Sequence, residues 1–408
     1  LGFSSANQVG VVNETGMDRY TAKMAGDFKL AEKWNLGFSG NYSDSDIDKL
    51  PSGNDSWLFT VYGAPASFDL MGTPYHQEGT HGDFRQISYR RGGVGENPRW
   101  ALANNSYNEK TKRFFGSSYL EYKPISWVTI KYQIGLDNYT TDNADYEEMG
   151  TGNLPAANQY PTPNNLTYAY LAPTGGKINK YGVSRRIINS LFTAVFSHKF
   201  TDDIEASLML GNELDHNVSS YYSFTGTGFT TPGWDNMNNT NTQIADKDYY
   251  QRRTVGFFGN LTLDYKRMIF FNATGRQDIV SSMPRGKRTF FYPSASLSFI
   301  FTELDALKSQ SILSFGKVRA SYAEVGQAAS SFSEVPVYVV GGGSSGFLDY
   351  GVQYPLGGAS GYKLSSTLYD PNLKPQNTST MEFGLDLKFL NNRIGIDYSF
   401  FRQIATDQ

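Results

Sequence analysis

At 408 residues, with 28 Tyr, 28 Phe, 41 Gly and no Cys, the chain has the aromatic, glycine-rich make-up of a β protein, and a disulfide framework or thiolate metal site is excluded. A formal net charge of −3 with no basic stripe gives no reason to expect nucleic acid as a partner. Apolar runs such as Met268-Ile269-Phe270-Phe271 break within a few positions, far short of the roughly 20 residues of a membrane helix, but a strand that crosses a bilayer alternates and so dilutes its own hydropathy.

The opening Leu1-Gly2-Phe3-Ser4-Ser5 has neither Met nor a basic segment followed by an apolar one, so it does not read as a signal peptide. Two strands joined by a tight turn, Ala31-Glu32-Lys33, are expected at 17–46. Asp44-Ser45-Asp46-Ile47-Asp48 then imitates the start of a calcium loop, with Asp55 at the end. Lys49 stands where the sharp turn needs Gly, so a hydrated acidic cluster competes with a calcium site on Asp44, Asp46 and Asp48. Trp57-Leu58-Phe59-Thr60-Val61-Tyr62 reads as a short helix inside a long irregular segment, 47–110.

Further hairpins are expected at 111–143, 182–220, 250–280, 289–325 and 377–406, making about twelve strands. Their turns are short: Lys123-Pro124-Ile125-Ser126, Phe200-Thr201-Asp202-Asp203, Lys266-Arg267, the somewhat longer 304–310, and Leu390-Asn391-Asn392. The segments between hairpins, at 47–110, 144–181, 221–249 and 326–376, are long and rich in Gly, Pro, Asn and Tyr. Loops of that length are rare in compact soluble domains, and short turns at one end with long loops at the other is the asymmetry of outer-membrane barrels.

Alternation is clearest at 381–401. Met381, Phe383, Leu385, Leu387 and Phe389 alternate with Glu382, Gly384, Asp386 and Lys388, and beyond the turn Ile394, Ile396, Tyr398 and Phe400 alternate with Gly395, Asp397 and Ser399. A side-chain period of two then needs an apolar medium on one side and water on the other, which makes Glu382, Asp386, Lys388 and Asp397 candidate lumen-facing residues. Val128, Ile130, Tyr132, Ile134 and Leu136 repeat the pattern, and so do Phe257, Leu261, Leu263 and Tyr265, whereas 203–220 alternates weakly. Aromatics gather near turns, with Tyr119, Tyr122 and Trp127 at one and Tyr265, Phe270 and Phe271 at another, as in the girdles of membrane barrels. A soluble β-sandwich, whose strands also alternate, is the competing fold.

No catalytic constellation stands out. His76, His81, His198 and His216 lack zinc spacing, Gly341-Gly342-Gly343 lacks the Gly-Lys-Ser/Thr ending of a phosphate loop, and the chain does not read as an enzyme. Trp57, Tyr75, Trp100, Trp234, Tyr350 and Tyr354 lie in the long segments, where flat rings could stack on sugars or clamp a peptide; each could equally pack its own loop.

Several segments resemble the SusC/RagA family of TonB-dependent outer-membrane transporters of Bacteroidetes-type bacteria. They are Asn97-Pro98-Arg99-Trp100, Arg113-Phe114-Phe115-Gly116, Leu120-Glu121-Tyr122-Lys123-Pro124, Gly275-Arg276-Gln277-Asp278, Phe290-Phe291-Tyr292-Pro293-Ser294, Lys317-Val318-Arg319-Ala320-Ser321-Tyr322, and Asp370-Pro371-Asn372-Leu373-Lys374-Pro375 leading into Glu382-Phe383-Gly384-Leu385-Asp386 and Asn391-Asn392-Arg393. The resemblance implies an all-β fold, a transmembrane antiparallel β-barrel of 22 strands, with a plug domain, coupling to TonB, and a SusD-like lipoprotein lid that hands over oligosaccharides or peptides. With about twelve strands, no plug segment and no TonB box, residues 1–408 are expected to be the middle of a longer barrel in the outer membrane; a self-contained passive porin or adhesin-type barrel is the alternative. No cofactor is expected beyond the calcium alternative.

Overall fold

Period-two alternation produces strands throughout. In the computed structural model thirteen of them form one antiparallel sheet in which each strand is bonded to the next in chain order. Residues 1–50, 57–76, 86–88, 97–151, 169–170, 175–308, 312–329, 338–343, 352–353, 357–365 and 373–406 are described. The strands are β1 (Gly2–Val9), β2 (Gly16–Ala31), β3 (Trp34–Asp48), β4 (Ser106–Ile125), β5 (Val128–Glu147), β6 (Lys177–Lys199), β7 (Ile204–Phe229), β8 (Thr240–Tyr265), β9 (Ile269–Val280), β10 (Thr289–Ile300), β11 (Leu313–Gln327), β12 (Gln376–Phe389) and β13 (Ile394–Thr406).

The sheet agrees with the expected wall of about twelve strands, Gly2–Val9 being a thirteenth that pairs with Gly16–Lys23 although its own apolar pattern is weak. One expectation needs correction. The segment 221–249 is mostly strand: β7 and β8 stay paired up to Phe229 and Thr240. There the side chains are Tyr, Ser, Thr and charged residues, which favour extended backbone or tolerate it without a greasy face, so a search for apolar alternation passes over them.

Register carries each face across the sheet. Phe28 faces Leu36, Leu36 faces Leu120, Leu120 faces Tyr132 and Tyr132 faces Phe192. At the far edge Val318 faces Leu385, which faces Tyr398. Direct partners in an antiparallel pair share a face, so these form one continuous apolar surface. It is also exposed: Phe383 is 56% and Phe400 57% accessible. A soluble sandwich would bury such a face. Buried hydrophobics among the described residues are instead few: Trp100, Val128, Ile178, Phe229, Val280 and Met283, of which all but Val128 lie at or above the loop ends of the strands.

The same register splits the aromatics near the turns. Trp34 stacks on Tyr122 with ring centroids 4.2 Å apart on the apolar face, and Tyr265 and Phe271 share that face through Leu263. Tyr119 and Phe270, one residue out of phase, project to the polar face, so they do not belong to a girdle.

Turns close one end tightly. Lys266 and Arg267 take φ of 54° and 53°, and Leu390, Asn391 and Asn392 take 52°, 57° and 64°; positive φ at the central residues matches the right-handed strand twist of a hairpin. At about 3.3 Å per residue and a ~40° tilt, roughly ten residues from a turn cross a ~25 Å apolar band. Strands β4 and β5 have 20 residues each and β7 and β8 have 26, so they stand well beyond it, while β9 and β10 have 12 each. The wall is therefore tall on one side of the β8–β9 step and low on the other.

Candidate functional site

The loop ends of the tall strands carry a packed platform. Pro98–Asn104 forms the short helix α2, with Asn97 as N-cap accepting from the Arg99 N–H and Pro98 in the first turn, where its missing N–H has no helical partner to lose. This places Trp100 inward, 3% exposed, its indole N–H donating to Thr151 Oγ1 at 3.2 Å. Thr151 in turn donates to Asn105, which also accepts from the Glu148 N–H. Gln86, fully buried, accepts from the Asn97 N–H and donates to the Gly150 carbonyl. On the other side of α2, the Arg99 guanidinium reaches the carbonyls of Leu70, Met71 and Thr73 and lies 4.9 Å from the Tyr75 ring centre.

A buried carboxylate joins this platform to the β7–β8 tip. Glu148, 6% exposed, accepts from the Tyr146 hydroxyl (2.8 Å), the Gly233 N–H (2.8 Å) and the Met149 N–H (2.7 Å). Burial and the neighbouring Glu148 charge hold the Tyr146 phenol well above its usual range. Tyr146 also stacks on Phe229 at 5.3 Å. Asn239, fully buried, accepts from Thr230 and Thr231 and donates to the carbonyls of Thr231 and Trp234. Trp234 is thus held by its backbone while its side chain stays 46% exposed.

Of the aromatic candidates, Tyr75 and Trp234 remain partly accessible, and Trp100 packs the platform with no ring face open. Trp57 begins the short helix α1 (Trp57–Tyr62), as its pattern predicts, but its side chain lies outside the described residues, as do Tyr350 and Tyr354. Glu382, Asp386, Lys388 and Asp397 share the polar face of β12 and β13. Arg319 of β11 bridges to Glu382 (3.5 Å) and Asp397 (3.3 Å) there. A second ionic group on that face joins Arg276 to Glu213 and Asp278, each at 2.8 Å, with Asn189 donating to Glu213.

Asp44, Asp46 and Asp48 do not curl into a calcium loop. They lie along one face of strand β3, where Lys112 and Lys110 pair with Asp44 and Asp46, and Asn108 donates to Asp46 and Asp48. Extended backbone spaces alternate residues about 6.6 Å apart, too far for three carboxylates to share one ion.

Sequence reading gives no role to Gln86 and Asn239 and meets Arg99 only within the family-like run. It takes Glu148, with Glu147 and Asp142–Asp145, as part of an acidic cluster on a hydrated face, whereas Glu148 is buried. The Asn-Pro-Arg-Trp run did carry a usable signal, an N-cap followed by Pro at the first helical position. Glu148 is fixed by its neighbours Tyr146 and Met149 and by Gly233 of the β7–β8 tip, and Asn239 by Thr230, Thr231 and Trp234 of its own tip, side-chain contacts that no sequence pattern encodes.

An exposed apolar face, a continuous polar face, tight turns and tall loop-bearing strands define the wall of an outer-membrane β-barrel. The chain belongs to the TonB dependent receptor-like β-barrel family, whose model matches residues 80–408. It is 22% identical over 407 residues to TonB-dependent receptor P26 of Formosa agariphila, covering 98% of this chain and 37% of that protein. It is 29% identical over 233 residues to TonB-dependent receptor SusC of Bacteroides thetaiotaomicron, covering 55% of this chain and 21% of that one. In fold it resembles the RagAB peptide transporter, with a TM-score of 0.70 at 14% identity over 96% of this chain and 40% of that chain. The ferric-catecholate import receptor Fiu from E. coli K12 gives a TM-score of 0.54, also at 14% identity. The family is one of outer-membrane transport proteins rather than enzymes, and this chain spans 37% or less of the length of the Formosa and Bacteroides relatives it matches.

Proposed function

We propose that the chain forms a large part of the wall of an outer-membrane nutrient importer. The carrying observation is the polar face: Arg276 with Glu213 and Asp278, and Arg319 with Glu382 and Asp397, line up opposite a continuous exposed apolar face, as a water-filled or plugged lumen behind a lipid-facing wall requires. Glu382, Asp386, Lys388 and Asp397 then face that lumen. Among the described residues β1 and β13 each pair on one side only, and open edges are not tolerated in lipid, so further strands of the full-length protein close the barrel; a plug domain that gates it belongs to the same reading.

Uptake is driven through TonB and assisted by a SusD-like surface lipoprotein, the cargo being oligosaccharide or peptide. Trp234, whose carbonyl Asn239 holds, and Tyr75, which lies against Arg99, are the contacts offered to it, together with Trp57, Tyr350 and Tyr354; the name of the RagAB peptide transporter supports a peptide cargo. The test is uptake of labelled oligosaccharides and peptides by cells carrying the full-length protein, with and without TonB and the lipoprotein. Loss of uptake without TonB is expected; undiminished, energy-independent entry would instead make the barrel a passive porin.

A further inference from the structure

The step between β8 and β9 leaves a strand edge open. β8 pairs with β7 from Tyr265 up to Thr240, but its pairing with β9 stops at Thr254 opposite Val280. Arg253 is the last residue served on that side: its N–H donates to Ser281 Oγ at 2.8 Å and its carbonyl accepts from the Ser281 N–H at 2.9 Å. Main-chain groups in a strand point alternately to either side, and the β7–β8 register has no shift between Thr242 and Tyr265. Gln243, Ala245, Lys247, Tyr249 and Gln251 therefore turn their N–H and C=O groups away from β7, with no backbone partner among the described residues. The Lys247 N–H supports this independently, because it is taken by the carboxylate of its own neighbour Asp246 at 2.8 Å.

An open edge of about eleven residues, roughly 35 Å long, is a template for another strand. Proteins guard such edges with Pro, bulges, brevity or charge. This one has no Pro, bulge or brevity, and its charges, Asp246, Lys247 and Asp248, oppose indiscriminate pairing while favouring a strand of complementary charge, with Ile244 and Tyr249 64% and 63% exposed. The edge lies in the plane of the wall above the bilayer, so whatever pairs with it extends the wall as a resident and does not pass into the lumen. A second copy in the same membrane has the same orientation. Its edge would run parallel and set Asp246 beside Asp246 and Lys247 beside Lys247, like charges that oppose pairing.

We propose that residues 242–252 of β8 receive, by antiparallel strand addition, an extended segment of a different surface protein, with an acidic residue opposite Lys247 and basic residues opposite Asp246 and Asp248. This surface is distinct from the cargo contacts above and does not depend on them. The test places a photo-crosslinking amino acid at Ala245 of the full-length protein in its own cells. One protein adduct is expected, mapping to an extended segment. The pair Lys247→Pro and Tyr249→Pro, which removes edge donors and leaves the β7 pairing through Asp246 and Asp248, is expected to cut it at least tenfold in a barrel that stays protease-resistant. The milder Lys247→Glu is expected to cut it several-fold. No protein adduct, adducts only between copies or only to transported peptide, or an adduct insensitive to Lys247→Glu would overturn the proposal.

Discussion

Tyr222 donates its phenolic O–H to Asp142 at 2.5 Å across an entire intervening strand, passing over Gly182. The three residues are in register, Asp142 opposite Gly182 and Gly182 opposite Tyr222. A Cβ at Gly182 would stand 2.5 Å from the Thr141 carbonyl and 2.8 Å from the Tyr222 ring, so only glycine leaves the crossing open. Asp27, Gly37 and Tyr119 repeat the device, with the Tyr119 hydroxyl 2.6 Å from Asp27.

Gly182→Val is expected to push Tyr222 off Asp142 and to destabilise the tall ends of β5, β6 and β7 by about 1–3 kcal/mol, the usual cost of overpacking. Proteolysis of the intact barrel should show faster cleavage there with the turn ends unaffected, and Tyr222→Phe should reproduce only the part due to the lost hydrogen bond.

The same pair predicts a pH dependence. Burial, with help from the hydrogen bond to Asp142 and that charge, pushes the Tyr222 phenol up to about 12. The folded value is raised above an unfolded value of roughly 10, so the contribution is complete below pH ~10 and is lost as pH rises through the folded value. The phenolate absorbance lost in Tyr222→Phe should titrate near the upper value; a difference that titrates near 10 would contradict the contact.

Glu148→Ala leaves the Tyr146 hydroxyl and the Gly233 N–H without their acceptor, at a cost of about 1–3 kcal/mol to the platform. Glu148→Gln keeps one oxygen for those two donors and should lose much less. Hydrogen exchange at Gly233 should separate the two variants, rising sharply only in the alanine form.

Arg99→Ala should release the turn at 70–73, since one guanidinium serves three of its carbonyls. Hydrogen bonds from a charged group contribute roughly 1.5–3 kcal/mol. Arg99→Lys retains a donor but forfeits the planar contact with Tyr75, so its cleavage rate in limited proteolysis at 70–75 should fall between wild type and alanine.

Where lipid dictates the pattern, sequence and structure agree closely: the hairpin expected at 377–406 is strand over Gln376–Phe389 and Ile394–Thr406. Above the bilayer nothing enforces apolar alternation, and 221–249 was legible only as a polar, aromatic stretch although it continues β7 and β8. Trp100 shows a second limit. Composition marks an aromatic in a long loop, but whether its ring is offered or enclosed is decided by Thr151 and α2, contacts with no local trace. Trp234 looked the same in sequence and stays exposed because Asn239 binds only its backbone.

The central claim is that one face of β12 meets lipid and the other a lumen. Spin labels placed singly from 382 to 388 in the full-length protein, reconstituted in bilayers, report collision with oxygen and with a water-soluble nickel chelate. Residues 383, 385 and 387 should be accessible to oxygen, and 382, 384, 386 and 388 out of phase with them, more accessible to the chelate or shielded from both. Equal chelate access along the whole strand, or the opposite phase, would contradict the assignment.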